Sequence, residues 1–156
     1  SAPIAQLELR LFISANKPFH YTKPTDLTGK RGVKLLGMSL GEELDRFAFK
    51  NLVIDKVNDP YSLFKMVAIG RVDYAISFKD FGTQQIKQLR LEDTLVMLPR
   101  PLTNVALHVA FSRSSPCQKQ LGALKQAINQ MTVDGSLTKI QQKYFSYQNH
   151  PSVEGS

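Results

Sequence analysis

Cysteine is nearly missing from this chain: Cys117 is the only one in 156 residues. A single thiol excludes an intrachain disulfide and a cluster of thiolate metal ligands. Long apolar runs are missing too, and nothing approaches the roughly 18 consecutive apolar residues of a membrane-spanning helix. Residues 1–14 lack a basic start followed by a long apolar run, so no leader peptide is read there, although a trimmed mature chain would look the same. The histidines His20, His108 and His150 are scattered over a loop, a strand and the tail, without metal-site spacing. His108 falls inside a strand pattern and is read as structural. Neither a Gly-x-Ser-x-Gly elbow nor a phosphate loop occurs, and Gly29-Lys30 has no upstream glycine at the phosphate-loop spacing. Internal repeats and low-complexity segments are absent, and no residues form a convincing catalytic constellation. The expectation is a non-enzyme without cofactor or metal.

Charge is present but spread out. The net charge is +7 and the pI near 9.6. Basic residues from Lys30 and Arg31 to Arg90 and Arg100 are dispersed, with no dense tract. This reads as a soluble basic surface and not as a nucleic-acid site. It is compatible with capture of a small anion. A hydrophobic content of 42% is ordinary for a folded core. The length suits one domain or one and a half.

The organisation is clearest between Asp26 and Phe81. Three short apolar runs, Gly32–Leu36, Asn51–Val57 and Val72–Ser77, are separated by two amphipathic helix patterns. That is the grammar of a parallel sheet covered by helices: an α/β fold, a three-layer open sheet with helices on both faces. Ser39 and Glu42 have capping-box spacing, and Leu40, Leu44, Phe47 and Ala48 form the apolar face of the helix they open. Asp59, Pro60 and Gly70 are the cap, first residue and stop of the second helix. Asp80 is placed as the cap of a third helix reaching Leu89, and Asp73 in the turn before its strand. Ahead of this region, residues 4–14 alternate, with Leu7, Leu9, Leu11 and Ile13 on one face. After it come strands at Thr94–Leu98 and Val105–Phe111. Ser115 and Pro116 open a helix with an inner face of Leu121, Leu124, Ile128 and Met131. Asp134-Gly135 breaks it, and a last helix carries Leu137, Ile140, Tyr144 and Phe145. The tail from 148 is polar and expected to be mobile. In an open α/β sheet ligands bind beyond the carboxyl ends of the strands, which puts a candidate cleft at Gly37–Ser39 and Ser77–Asp80.

The motif order resembles the bacterial extracellular solute-binding proteins of the amino-acid-binding type, the two-lobed periplasmic binding proteins of type II fold. The resemblance runs from Pro3 to Phe145. It is carried by Asp26-Leu27-Thr28-Gly29-Lys30, the strand ending at Gly37, Gly70-Arg71-Val72-Asp73-Tyr74-Ala75-Ile76, the strand from Val105 followed by Ser114-Ser115-Pro116, and Asp134-Gly135-Ser136-Leu137-Thr138-Lys139-Ile140 with Tyr144-Phe145. It implies a strand crossing a hinge at 1–14, a complete second lobe at 15–104, the returning part of the first lobe at 105–147 and a flexible tail at 148–156, with the opening segment of lobe one missing. It also implies a small polar ligand such as an amino acid in an interlobe cleft, a periplasmic or extracellular location after loss of a signal peptide, and an ABC transporter membrane component as partner. A truncated chain would invite a domain-swapped homodimer. The ligand residues carried over are Gly37, Met38 and Ser39, where relatives hold an anionic group on free N–H groups and a helix dipole, with Ser77, Phe78 and Asp80 opposite. Met38 replaces the usual small hydroxyl residue and Phe78 the usual acid, which implies either an apolar or aromatic-tolerant pocket or the loss of classical ligand binding. The same fold also serves as the sensing part of signalling receptors and as the effector domain of transcription regulators. An enzyme on this fold, such as a dehydratase, would have only Asp80 as its acid or base.

Overall fold

The computed structural model describes residues 3–147; the polar tail from 148 and His150 lie outside the described residues. These residues form two compact units, Leu7–Val105 and a second made of the two chain ends, 3–6 and 106–147.

Unit Leu7–Val105 is built on a sheet. Its strands are β1 (Ala5–Ser14), β2 (Arg31–Leu35), β3 (Val53–Val57), β4 (Tyr74–Phe78), β5 (Leu95–Met97) and β6 (Thr103–Leu107), the first and last running past its limits. The order is β3-β2-β4-β1-β5, with β6 also paired to β1. β2 lies parallel to β3 and β4, joined by crossovers through α1 (Glu42–Asn51) and α2 (Pro60–Ala68). β1 runs antiparallel to β4 and β5, and α3 (Lys79–Gln88) follows β4 directly.

The central strands β1, β2 and β4 carry buried residues on both faces, which makes three layers. One face gathers Leu9, Leu11, Ile13, Tyr74 and Ile76 with Tyr21, Leu27, Leu40 and Ala48. The other gathers Phe12, Val33 and Ala75 with Leu63, Phe64 and Val67 of α2 and Ile86 of α3. Phe12 meets Phe64 edge to face at 5.5 Å. The expected one-sided alternation of β1 is therefore only half of its pattern, because helices close over the second face as well.

Several local signals act as their chemistry demands. Asp59 accepts the Ser62 N–H at 2.8 Å, Pro60 is the first residue of α2, and Gly70 ends it at φ +73°. Asp73 sits in the turn before β4, its carboxylate accepting the Arg31 N–H at 2.7 Å. Gly32 has a spatial role: a Cβ there would lie 2.3 Å from the Tyr74 ring. Gly82 in α3 is held in the same way, since a Cβ there would lie 2.4 Å from the Phe12 ring.

Several expectations need correcting. β4 begins at Tyr74, two residues after Val72, because Asp73 is committed to the Arg31 turn. β6 covers Thr103–Leu107 and not Val105–Phe111, so exposed His108 lies past the strand. The Ile4 N–H donates to Leu107 O, on the last residue of that strand. Asp80 does not cap α3, which starts one residue earlier at Lys79 with Phe78 as its cap residue and no side-chain cap.

In the second unit, Ser115 accepts the Cys117 N–H at 3.2 Å and opens a 3₁₀ turn, Pro116–Gln120, before α4 (Leu121–Val133). Gly135, at φ +75°, separates α4 from α5 (Ser136–Tyr147). Ile128 is buried and Leu124 and Met131 half-buried, while Leu121, at the first residue of α4, remains 43% exposed. Helical phase sets an apolar stripe; the layer packed on it decides how much is covered. Among the described residues no helix is long and apolar enough to cross a membrane.

Candidate functional site

Two strand-to-helix turns lie at the same end of the sheet in the unit Leu7–Val105. β2 and β4 are parallel neighbours with Lys34 level with Ile76, so the chain leaves them, after Leu35 and Phe78, at the same end of the sheet. The structure thereby brings Gly37, Met38 and Ser39 to the same edge as Phe78. Met38 and Phe78, both half-buried, pack on one apolar cluster that includes Leu9 and Ile76.

The β2–α1 turn is tightly bonded. Gly37 takes φ +79°, a left-handed conformation that suits glycine, and the Met38 N–H donates to Leu35 O at 3.2 Å. Lys34 Nζ donates to Met38 O at 2.6 Å. The expected capping box is absent: α1 starts at Glu42 with Gly41 as cap residue, at φ +93° and without a side-chain cap. Ser39 instead donates its hydroxyl to Asp45 Oδ2 at 2.6 Å and accepts the Gly41 N–H at 3.1 Å. The Leu40 N–H donates to Asp45 Oδ1 at 3.1 Å, and Lys34 Nζ stands 3.6 Å from the same oxygen. Partial burial pushes the Asp45 carboxyl upward, but the Ser39 hydroxyl, the Leu40 N–H and Lys34 outweigh it and hold the group below its ordinary value. Three acids, Glu42, Glu43 and Asp45, occupy the first turn of α1, and Glu42 pairs with Arg46 at 2.8 Å.

The β4–α3 turn is different. Ser77 is fully buried and its Oγ finds no partner among the described residues. By strand alternation it faces the α2–α3 layer, away from Met38. Ser77 is thus withdrawn from the ligand role assigned to it. Asp80 is exposed in the first turn of α3, and Asp73, at the opposite end of β4, does not form a carboxylate pair with it. Beside this turn Glu8 Oε2 accepts from Arg10 Nη2 at 2.6 Å, with Lys79 Nζ 3.9 Å away. The Arg10 bond, more than the nearby Lys79 charge, keeps the Glu8 carboxyl below its usual range. Arg10 also donates to Leu98 O and Pro99 O, so this buried guanidinium clamps the connection between β5 and β6.

Next to the first turn, a groove of about 620 Å³ is lined by Leu40, Leu44, Phe47 and Leu102, with Glu42 and Glu43. The volume is within the range of small-molecule sites. Among the described residues no group of His, Cys, Asp or Glu could hold a metal ion. Sequence reasoning missed Asp45 and Lys34. The signal available was faint: an acid six residues beyond a serine, with a glycine between them that delays the helix.

No protein-family model matches the chain, and no curated sequence matches it. Solved structures do. A histidine kinase sensor domain with similarity to periplasmic binding proteins superposes with a TM-score of 0.72 at 21% identity, over 92% of this chain and 60% of that one. An amino acid ABC transporter substrate-binding protein, AbpA of Streptococcus pneumoniae, bound to L-arginine, gives 0.69 at 17% identity, over 97% and 62%. An ancestral arginine-binding protein bound to arginine gives 0.65 at 18%, over 93% and 63%. The chain thus spans about three fifths of the length of each. At these identities the likeness establishes the fold, that of the periplasmic binding proteins.

Proposed function

We propose that this chain is the ligand-holding part of a solute-binding protein that captures a small polar molecule of amino-acid size at the carboxyl ends of β2 and β4. The observation that carries this reading is the placement of the Gly37–Ser39 turn beside Phe78 on one apolar cluster. Met38 and Phe78 supply apolar contact to the body of the ligand, and the backbone and charges around Ser39 fix its polar end. Asp80 is the remaining candidate on the α3 side. The location that suits this role is the periplasm or the cell exterior, and the partner an ABC transporter membrane component.

Calorimetric titration of the full chain with a panel of amino acids, organic acids, amines and short peptides tests the reading. A saturable response, weakened roughly tenfold or more by Phe78→Ala, is expected, equivalent to about 1.4 kcal/mol. A flat panel would refute it. A second reading, a sensory module that signals ligand occupancy, is favoured by the likeness to the kinase sensor domain, which matches as closely as the transport proteins. Both readings use the same site; they part on whether the ligand-bound chain engages a transporter or a signalling protein.

A further inference from the structure

A ligand carboxylate docking at the β2–α1 turn would need what such turns offer: a backbone N–H, a hydroxyl and a nearby cation. In this chain one of each is already engaged. The Leu40 N–H, the Ser39 hydroxyl and the Lys34 ammonium all converge on Asp45, at 3.1, 2.6 and 3.6 Å. Two neighbouring donors are also committed, Gly41 N–H to Ser39 Oγ and Met38 N–H to Leu35 O. The carboxylate sits on the first turn of the helix whose dipole would have attracted the ligand's own charge. We infer that Asp45 is a specificity-determining residue: its carboxylate is a built-in occupant of the anion seat, and it makes this turn select ligands that bring no carboxylate to it.

This deepens the ligand-binding reading above and rests on it. A second negative charge within hydrogen-bonding distance of Asp45 would be repelled, and Glu42 and Glu43 on the same turn add to that field. The adjacent groove, apolar apart from those two acids and Thr25 and Thr103, suits a molecule with an apolar body and a cationic or neutral head. The class is therefore an amine or amide, as opposed to the free α-amino acid.

Two matched pairs isolate the carboxylate: L-arginine against agmatine, and L-lysine against cadaverine. Calorimetry on the full chain should show the decarboxylated member of a pair binding roughly tenfold tighter or more. In Asp45→Asn, which removes the charge and keeps the shape, that gap should fall to about threefold or less. Equal or tighter binding of the amino acid to the unaltered chain would overturn the inference, as would an unchanged gap in Asp45→Asn. A second measurement needs no ligand. Acetate should raise the melting temperature of Asp45→Ala above that in equal chloride, by refilling the emptied seat, and should leave the unaltered chain unmoved. Recovery of folding by acetate in an otherwise unfolded Asp45→Ala would support the seat equally. No acetate effect specific to the variant would overturn it. If acetate rescues but neither pair binds either protein, the seat stands and the ligand-binding reading fails.

Discussion

Two glycines five residues apart in the β2 segment serve opposite ends of the sheet. Gly32 is there for space: a methyl group would be driven into the Tyr74 ring at 2.3 Å. Gly37 is there for conformation: it takes φ +79° with nothing within 4 Å of a Cβ position. The amino end of β2 and β4 is a packed jigsaw in which ring, strand and helix leave no tolerance. The carboxyl end is open, with a turn bonded through a handful of polar side chains beside an apolar groove. The packed contacts lie at one end of these strands and the proposed recognition site at the other.

Substitutions at the two ends should separate on that line. The largest loss is expected from Phe12→Ala, which empties the core between α2 and α3 and should cost about 3–5 kcal/mol in urea unfolding. Gly32→Ala should cost about 1–3 kcal/mol by forcing Tyr74 aside, and a double substitution with Tyr74→Ala should recover part of it. At the open end Gly37→Ala should cost about 1–2 kcal/mol, the penalty of a left-handed residue with a side chain, and its cost should be the same whether Tyr74 is present or not. Coupling of Gly37 to Tyr74 would break the contrast. Tyr74→Phe sharpens it further. The Tyr74 hydroxyl is buried without a partner among the described residues, and burial pushes its pKa upward. Deleting that hydroxyl should leave stability unchanged or slightly raised. A loss beyond about 1 kcal/mol would show that the packed end depends on a hidden polar contact.

The smallest effect belongs to pH. Asp26 accepts hydrogen bonds from the Thr22 N–H, the Thr22 hydroxyl and the Lys23 N–H, which together bring its pKa down to about 2. A carboxyl lowered on folding contributes stability that is complete above its unfolded value, about 3.9, and is lost as pH falls through the folded one. The loss should therefore fall between about pH 4 and pH 2 and shrink in Asp26→Asn, as followed by thermal unfolding across that range.

Much of the fold was legible in the sequence. The Asp59-Pro60 start and Gly70 stop of α2 are local chemistry, readable without the fold, and so is the Asp134-Gly135 break. The apolar runs of β2, β3 and β4 announced a buried parallel sheet. Other features were harder to read. Ser39 and Glu42 satisfy the capping-box spacing, but Gly41 delays the helix and Asp45 reaches back for the serine, a competition between two acids that spacing does not decide. Ser77 looked available at a strand end because period-two alternation names the face but not which helices cover it. The shift of β6 depended on its partner strand, and Leu121 on what packs against α4.

The most direct test follows the glycine amides in ¹⁵N-labelled full-length chain during titration with agmatine and, separately, L-arginine. The expected result is a saturable shift of the Gly37 and Gly41 signals with agmatine, a weaker one with L-arginine, and a Gly32 signal that stays in place. Agmatine shifts confined to Gly32 or other signals remote from the β2–α1 turn, or no shift with either compound, would contradict a recognition site at the carboxyl ends of β2 and β4.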